Sequence, residues 1–121
     1  MKILIAEDDA VLRTALAKNF GNEGNTVVVA TNGEEALSLA ADNTDTDLIV
    51  CDIMMPSISG PTFILMLKRI FGQKTPKIIV ISSVKEAETF LNRIEIPYDH
   101  FVSKPIDFTL LNTLVKNLQE E

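Results

Sequence analysis

The tightest constraint in this chain is a fivefold alternation between two kinds of segment. Short β-branched or aliphatic runs occupy residues 3–6, 26–31, 48–51, 78–81 and 101–103, the last being the least apolar. Between them lie longer stretches whose apolar residues recur at helical spacing. Leu12, Ala15, Leu16, Asn19 and Phe20 share one helix face, with Gly21 and Gly24 as stop signals. Ala36, Leu39 and Ala40 mark a short helix after Asn32-Gly33, and Phe63, Leu67 and Ile70 one that ends by Gly72. A fourth is expected around residues 85–94 with Ala87, Phe90, Leu91 and Ile94 inside; Phe108, Leu111, Leu114 and Leu118 mark the last. Continuous apolar strands alternating with helices predict an α/β fold: a parallel sheet covered on both faces. No repeat, low-complexity tract or linker interrupts it, so residues 1–121 are read as one domain.

Composition narrows the function. With 46% apolar residues the chain can bury a core without staples. The single cysteine, Cys51, excludes an internal disulfide, fits a reducing compartment, and reads as a small buried strand residue. No apolar run approaches the roughly 20 residues of a membrane helix, and the first residues do not resemble a signal peptide. The expected location is cytoplasmic, with no membrane contact. The net charge is −6, and Lys and Arg are scattered singly or as the pair Lys68-Arg69. That pattern argues against nucleic-acid binding, which needs a basic face to displace phosphate counterions.

Parallel doubly wound sheets bind ligands outside the carboxyl ends of their strands. The first strand ends in Glu7-Asp8-Asp9, the third in Asp52, the fourth in Ser82-Ser83 and the fifth in Lys104-Pro105. Taken singly, each has a plain explanation: a solvated turn with Asp9 as helix N-cap, a turn aspartate, loop hydroxyls, a surface lysine. Taken together they place several carboxylates, a hydroxyl and an ammonium on one rim. Crowded carboxylates require a counter-charge or a raised pKa. Mg²⁺ takes one or two carboxylates with waters and a phosphate oxygen, and a lysine supplies a point charge for a phosphoryl group. The set reads as a phosphoryl-transfer site with a carboxylate nucleophile.

Asp52-Ile-Met-Met-Pro-Ser-Ile-Ser-Gly60 resembles the D-x-x-M-P-x-x-x-G signature of response-regulator receiver domains. Lys2-Ile-Leu-Ile-Ala-Glu-Asp-Asp9, Asn32-Gly-Glu-Glu-Ala36, Ile81-Ser82-Ser83 and Ser103-Lys104-Pro105 fall where that family has matching segments, so the resemblance spans the chain. It implies a flavodoxin-like (βα)5 sandwich with strand order 2-1-3-4-5. It implies Asp52 as phosphoacceptor, Lys104 as phosphate-binding lysine and Ser82 as switch hydroxyl. Mg²⁺ would be held by Asp8, by Glu7 through water, by Asp52 and by the Met54 backbone carbonyl. Phe101 matches the aromatic that reports the state, and the bond before Pro105 is expected to be cis.

The implied function is a two-component switch: a histidine kinase or histidine phosphotransfer domain supplies the phosphoryl group, and a downstream protein or attached output domain reads the result. Such a chain phosphorylates and dephosphorylates itself but is not a turnover enzyme. The alternative within the same fold is a phosphorylation-independent interaction module, although such modules typically lose an acid, the acceptor or the lysine. A flavin-binding relative would want a Ser/Thr-rich loop where Glu7-Asp8-Asp9 stands, and an aspartate-nucleophile phosphohydrolase would want D-x-D at that same strand end, which Glu7-Asp8-Asp9 does not supply. Three features depart from the common pattern. Pro97-Tyr98 replaces a small pair, Leu110 and Leu114 occupy positions where winged-helix regulators carry dimerising charges, and Ile64, Leu65 and Met66 make the third helix apolar nearly all round. The last is read as ordinary surface residues ahead of a homodimer or partner face, and His100 as a loop residue.

Overall fold

The computed structural model describes residues 1–55 and 57–120. Strands β1 (Lys2–Ala6), β2 (Thr26–Ala30), β3 (Leu48–Asp52), β4 (Lys77–Ser82) and β5 (His100–Ser103) form one sheet in the order β2-β1-β3-β4-β5. Every neighbouring pair is parallel. Helices α1 (Ala10–Asn22), α2 (Gly33–Asp42), α3 (Gly60–Phe71), α4 (Ala87–Arg93) and α5 (Phe108–Gln119) follow the strands in turn, with a 3-10 turn at Gly72–Lys74. This is the expected flavodoxin-like α/β sandwich.

The period of two along each strand divides the core into two layers. Ile3, Ile5, Leu48, Val50, Ile79 and Ile81 pack with Leu16 and Phe20 of α1 and with Leu111, Val115 and Leu118 of α5. Leu4, Ala6, Ile49, Cys51, Ile78 and Val80 face the other way, onto Ala36, Ala40, Phe63, Ile64, Leu67 and Leu91 from α2, α3 and α4. All five residues of β3 are buried, as a central strand covered on both faces must be.

Several local expectations need correction. Gly21 does not stop α1, which runs on to Asn22; the chain turns at Gly24, whose φ is +87°. Helix α4 is only seven residues long, and Phe90 and Ile94 are exposed, so two turns bring only Ala87 and Leu91 into the core. In α3, Ile64 is fully buried, whereas Leu65 and Met66 are exposed. Thr31 lies beyond β2, and His100 opens β5 instead of sitting in a loop.

Two glycines show opposite demands. A Cβ on Gly60 would stand 2.1 Å from Ile53 Cγ1 and 2.6 Å from the Ile53 carbonyl oxygen, whereas nothing lies within 4 Å of one on Gly21. Gly60→Ala is therefore expected to lower unfolding free energy by about 2 kcal/mol, the usual cost of forcing atoms into a filled site. Gly21→Ala should raise it by about 0.5 kcal/mol through helix propensity. Urea denaturation of both variants checks the contrast, and equal effects would contradict it.

Candidate functional site

Each strand end fixes one part of a cleft. The chain leaves β1 at Ala6, and the Glu7 N–H still donates to the Ala30 carbonyl of β2 at 3.1 Å, so Glu7 is held as an extension of the sheet and is fully buried. Its Oε2 accepts the Asp9 N–H at 3.2 Å. Asp9 is the N-cap of α1, accepting from the Val11 and Leu12 N–H groups, as expected. Asp8 lies between them, exposed to solvent. Asp52 closes β3 at 5% exposure, and its Oδ1 accepts the Met54 N–H at 2.8 Å.

Lys104 follows β5, and its N–H donates to the Ser82 carbonyl at 2.9 Å, which anchors it beside the end of β4. The bond to Pro105 is cis. From there its ammonium donates to Asp52 Oδ2 at 2.6 Å and stands 2.7 Å from Glu7 Oε1. One cation thus bridges the acids of two strands. The contact to Glu7 is an ion pair, and Glu7 Oε1 is otherwise buried without a hydrogen-bond partner among the described residues.

The electrostatics follow from burial. Desolvation pushes the Glu7 carboxyl up to about 7, with Lys104 opposing that and Asp8 and Asp52 adding to it. Burial pulls the Lys104 ammonium down, but Asp52 and Glu7 outweigh it and hold its pKa above the ordinary value. Cys51, inside β3, is pushed to about 12 by burial and is an inert core thiol.

Glu7, Asp8 and Asp52 each offer a carboxylate oxygen, and these oxygens lie within 4.8 Å of one another. Three carboxylates facing one ammonium leave an excess of negative charge. The donors are all hard oxygens, and one buried oxygen lacks a hydrogen bond, so the cluster suits a small divalent cation such as Mg²⁺.

Of the expected residues, Glu7, Asp8, Asp52 and Lys104 converge, and Met54 joins them through its N–H. Pro56 of the signature lies outside the described residues. Ser82 is 1% exposed at the end of β4, and its Oγ accepts the Val84 N–H at 3.0 Å; it makes no hydrogen bond to Asp52. Phe101 is half-buried and stacks edge-on against Tyr98, ring centroids 6.3 Å apart. The Tyr98 hydroxyl donates to Asn92 Oδ1 of α4 at 2.6 Å. An apolar cavity of about 690 Å³ opens beside Asp8, lined by Met54, Val84, Ala87 and Phe90 among others.

Sequence reasoning missed Arg13. Its Nη1 donates to the carbonyl oxygens of Glu7 and Asp8 at 2.9 and 3.3 Å. The available signal was an arginine four residues after the N-cap aspartate, close enough to reach back over the acidic loop.

With fold and site in place, comparison with known proteins gives the class. Residues 3–116 match the response regulator receiver domain model, and the chain belongs to that family. It is 32% identical over 92% of its length to a cyclic di-GMP phosphodiesterase of Thermotoga maritima, of which it covers 29%. It is likewise 32% identical over 98% of its length to the response regulator RR06 of Streptococcus pneumoniae, covering 52% of that protein. Curated relatives of this kind are therefore about two to three times as long as the chain. Among solved structures it resembles the response regulator TrrA of Thermotoga maritima in complex with Mg²⁺-BeF, with TM-score 0.83, 31% identity and 97% of each chain covered.

The buried Glu7 generates a pH signature. In the folded chain it holds its proton up to about 7, against an ordinary value of 4.5. Between those values the folded state binds the proton that the unfolded state has released, so stability rises as pH falls through that window. Metal-free protein should show this in urea denaturation, and Glu7→Gln should flatten the dependence. An unchanged slope in the variant would contradict the assignment.

Proposed function

We propose that the whole chain, residues 1–121, is a receiver domain that accepts a phosphoryl group on Asp52 from a phosphohistidine of a histidine kinase or histidine phosphotransfer domain. The observation that carries this reading is the Asp52 carboxylate: buried at a strand end, gripped by Lys104 at 2.6 Å, and grouped with Glu7 and Asp8. An acceptor needs a fixed carboxylate, a cation for the phosphoryl oxygens and a counter-charge for the crowded acids.

Asp8 and Asp52, the Met54 carbonyl, and Glu7 through water would hold Mg²⁺, which when bound supplies positive charge for the phosphoryl oxygens. A carboxylate oxygen of Asp52 attacks phosphorus; the new O–P bond forms as the P–N bond breaks, and the imidazole leaves with the electron pair. Lys104 exchanges its bond to Asp52 Oδ2 for one to a phosphoryl oxygen, so its charge follows the charge being transferred. Met54 N–H keeps the other carboxylate oxygen oriented.

The product carries added negative charge and new acceptor oxygens. Ser82 turns its hydroxyl toward one of them, and Phe101 moves into the space vacated. Because Phe101 packs on Tyr98, and Tyr98 is tied to Asn92, that movement reaches α4 in this chain through a tyrosine. A downstream protein or attached output domain reads the altered surface. The chain is a signalling acceptor and not a turnover enzyme. It works in the cytoplasm without binding nucleic acid; no described helix is long and apolar enough to cross a membrane.

Incubation with acetyl phosphate and Mg²⁺ should add a single phosphoryl mass to the intact chain. Chelation of Mg²⁺ or Asp52→Asn should abolish it. A parent chain that stays unmodified would favour a phosphorylation-independent interaction module, and full labelling of the variant would remove Asp52 as the acceptor.

A further inference from the structure

We propose that Arg13 is a positioning residue for divalent-cation binding: its guanidinium holds the peptide carbonyls of Glu7 and Asp8 and so sets how the two carboxylates present themselves. The inference rests on the metal site of the proposed function and adds a residue outside its ligand set.

The connection between β1 and α1 is three residues long, Glu7 to Asp9, and carries two of the three clustered acids. Its ends are secured. The Glu7 N–H is tied to Ala30, and Asp9 caps the helix while its carbonyl accepts the Arg13 N–H at 2.9 Å. What lies between belongs to neither the sheet ladder nor the helix; the Asp9 N–H is held by Glu7 Oε2 at 3.2 Å, but the Glu7 and Asp8 carbonyls still need partners. Arg13 supplies them. As the fourth residue of α1 it folds back over the loop, and Nη1 meets both carbonyl oxygens, at 2.9 Å for Glu7 and 3.3 Å for Asp8.

The Glu7 and Asp8 carbonyls bracket the Asp8 backbone, so fixing them fixes the Asp8 Cα–Cβ direction. This matters most for Asp8, whose exposed side chain lacks the packing that immobilises Glu7. The guanidinium suits the task because it is planar and permanently charged, and because it is more weakly hydrated than an ammonium. It bonds carbonyl oxygens and leaves the carboxylates open, so its charge eases the crowding of acids without competing for a ligand's place. Groups of this kind behind metal ligands usually influence affinity strongly.

The test compares the parent with Arg13→Met, Arg13→Lys and, as a charge control in the last turn of α3, Arg69→Met. Mg²⁺ affinity is read from amide shifts of Glu7, Asp8 and Asp9, and stability from thermal unfolding without metal. Arg13→Met should bind Mg²⁺ about tenfold more weakly while melting close to the parent. Arg13→Lys, whose compact ammonium keeps the charge but not the planar reach, should recover only part of that loss, and Arg69→Met should bind as the parent does. Labelling by acetyl phosphate should need correspondingly more Mg²⁺ for half-saturation in Arg13→Met yet reach the same plateau.

Parent-like affinity in Arg13→Met would overturn the proposal. So would complete recovery in Arg13→Lys, which would leave charge alone as the cause, or a loss of affinity matched by a loss of metal-free stability. Should Arg13→Met fail to fold, parent-like affinity in Arg13→Lys is decisive against it and weakened affinity supports it. A parent that binds no Mg²⁺ would bring down the metal reading itself, which separates the two failures.

Discussion

The ammonium of Lys104, 2.6 Å from Asp52 and 2.7 Å from Glu7, is the contact on which the arrangement of the site depends. Burial of Glu7 disfavours its charge, and the Asp52 carboxylate beside it adds to that penalty. One cation set between them makes the cluster tolerable, and its removal would leave buried charge uncompensated, which is among the costlier changes a core can suffer. The cation arrives by topology: β5 is the far edge strand, and Lys104 reaches across the end of β4, where its backbone is pinned to Ser82, to the acids that end β3 and follow β1.

The same balance is incomplete by design of the donor set. One ammonium against three carboxylates leaves the cleft short of positive charge, a condition that suits a divalent cation. Beside this electrostatic centre the backbone is tightly packed. Gly60 brings α3 against Ile53 closer than any side chain would permit, so the segment that carries Met54 leaves β3 in one direction. From the rim toward α4 runs the Phe101–Tyr98–Asn92 chain, joined by ring packing and one hydroxyl hydrogen bond.

Much of this was legible in the sequence. The five strands were readable because a parallel sheet covered on both faces demands continuous apolar runs, and 48–51 meets that demand without a break. The acids, Ser82 and Lys104 were readable because they follow those runs directly. Less was legible where tertiary contact overrides local pattern. Phe20 has neighbours enough to carry α1 past Gly21, so a residue of poor helix propensity remained helical. Phe90 and Ile94 have inward spacing on paper, but α4 is too short to place them against the sheet. Ile64 looked like surface because its neighbours Leu65 and Met66 are apolar too, and a helix that is apolar nearly all round hides its buried face. Arg13 is hard to single out because an arginine on an amphipathic helix normally reads as solvated charge, and its spacing from Asp9 permits the fold-back onto the carbonyls without requiring it.

The central claim is that Asp52, and no neighbouring acid, forms the bond to phosphorus. Trapping with borohydride after incubation with acetyl phosphate and Mg²⁺ tests it most directly, since hydride reduces an acyl phosphate to an alcohol and leaves ordinary carboxylates untouched. Tandem mass spectrometry of the digested chain should then find homoserine where Asp52 stood, with Glu7, Asp8 and Asp9 unreduced. Reduction at any of those three, or at none of the four in a chain that carries the phosphoryl mass, would contradict the account.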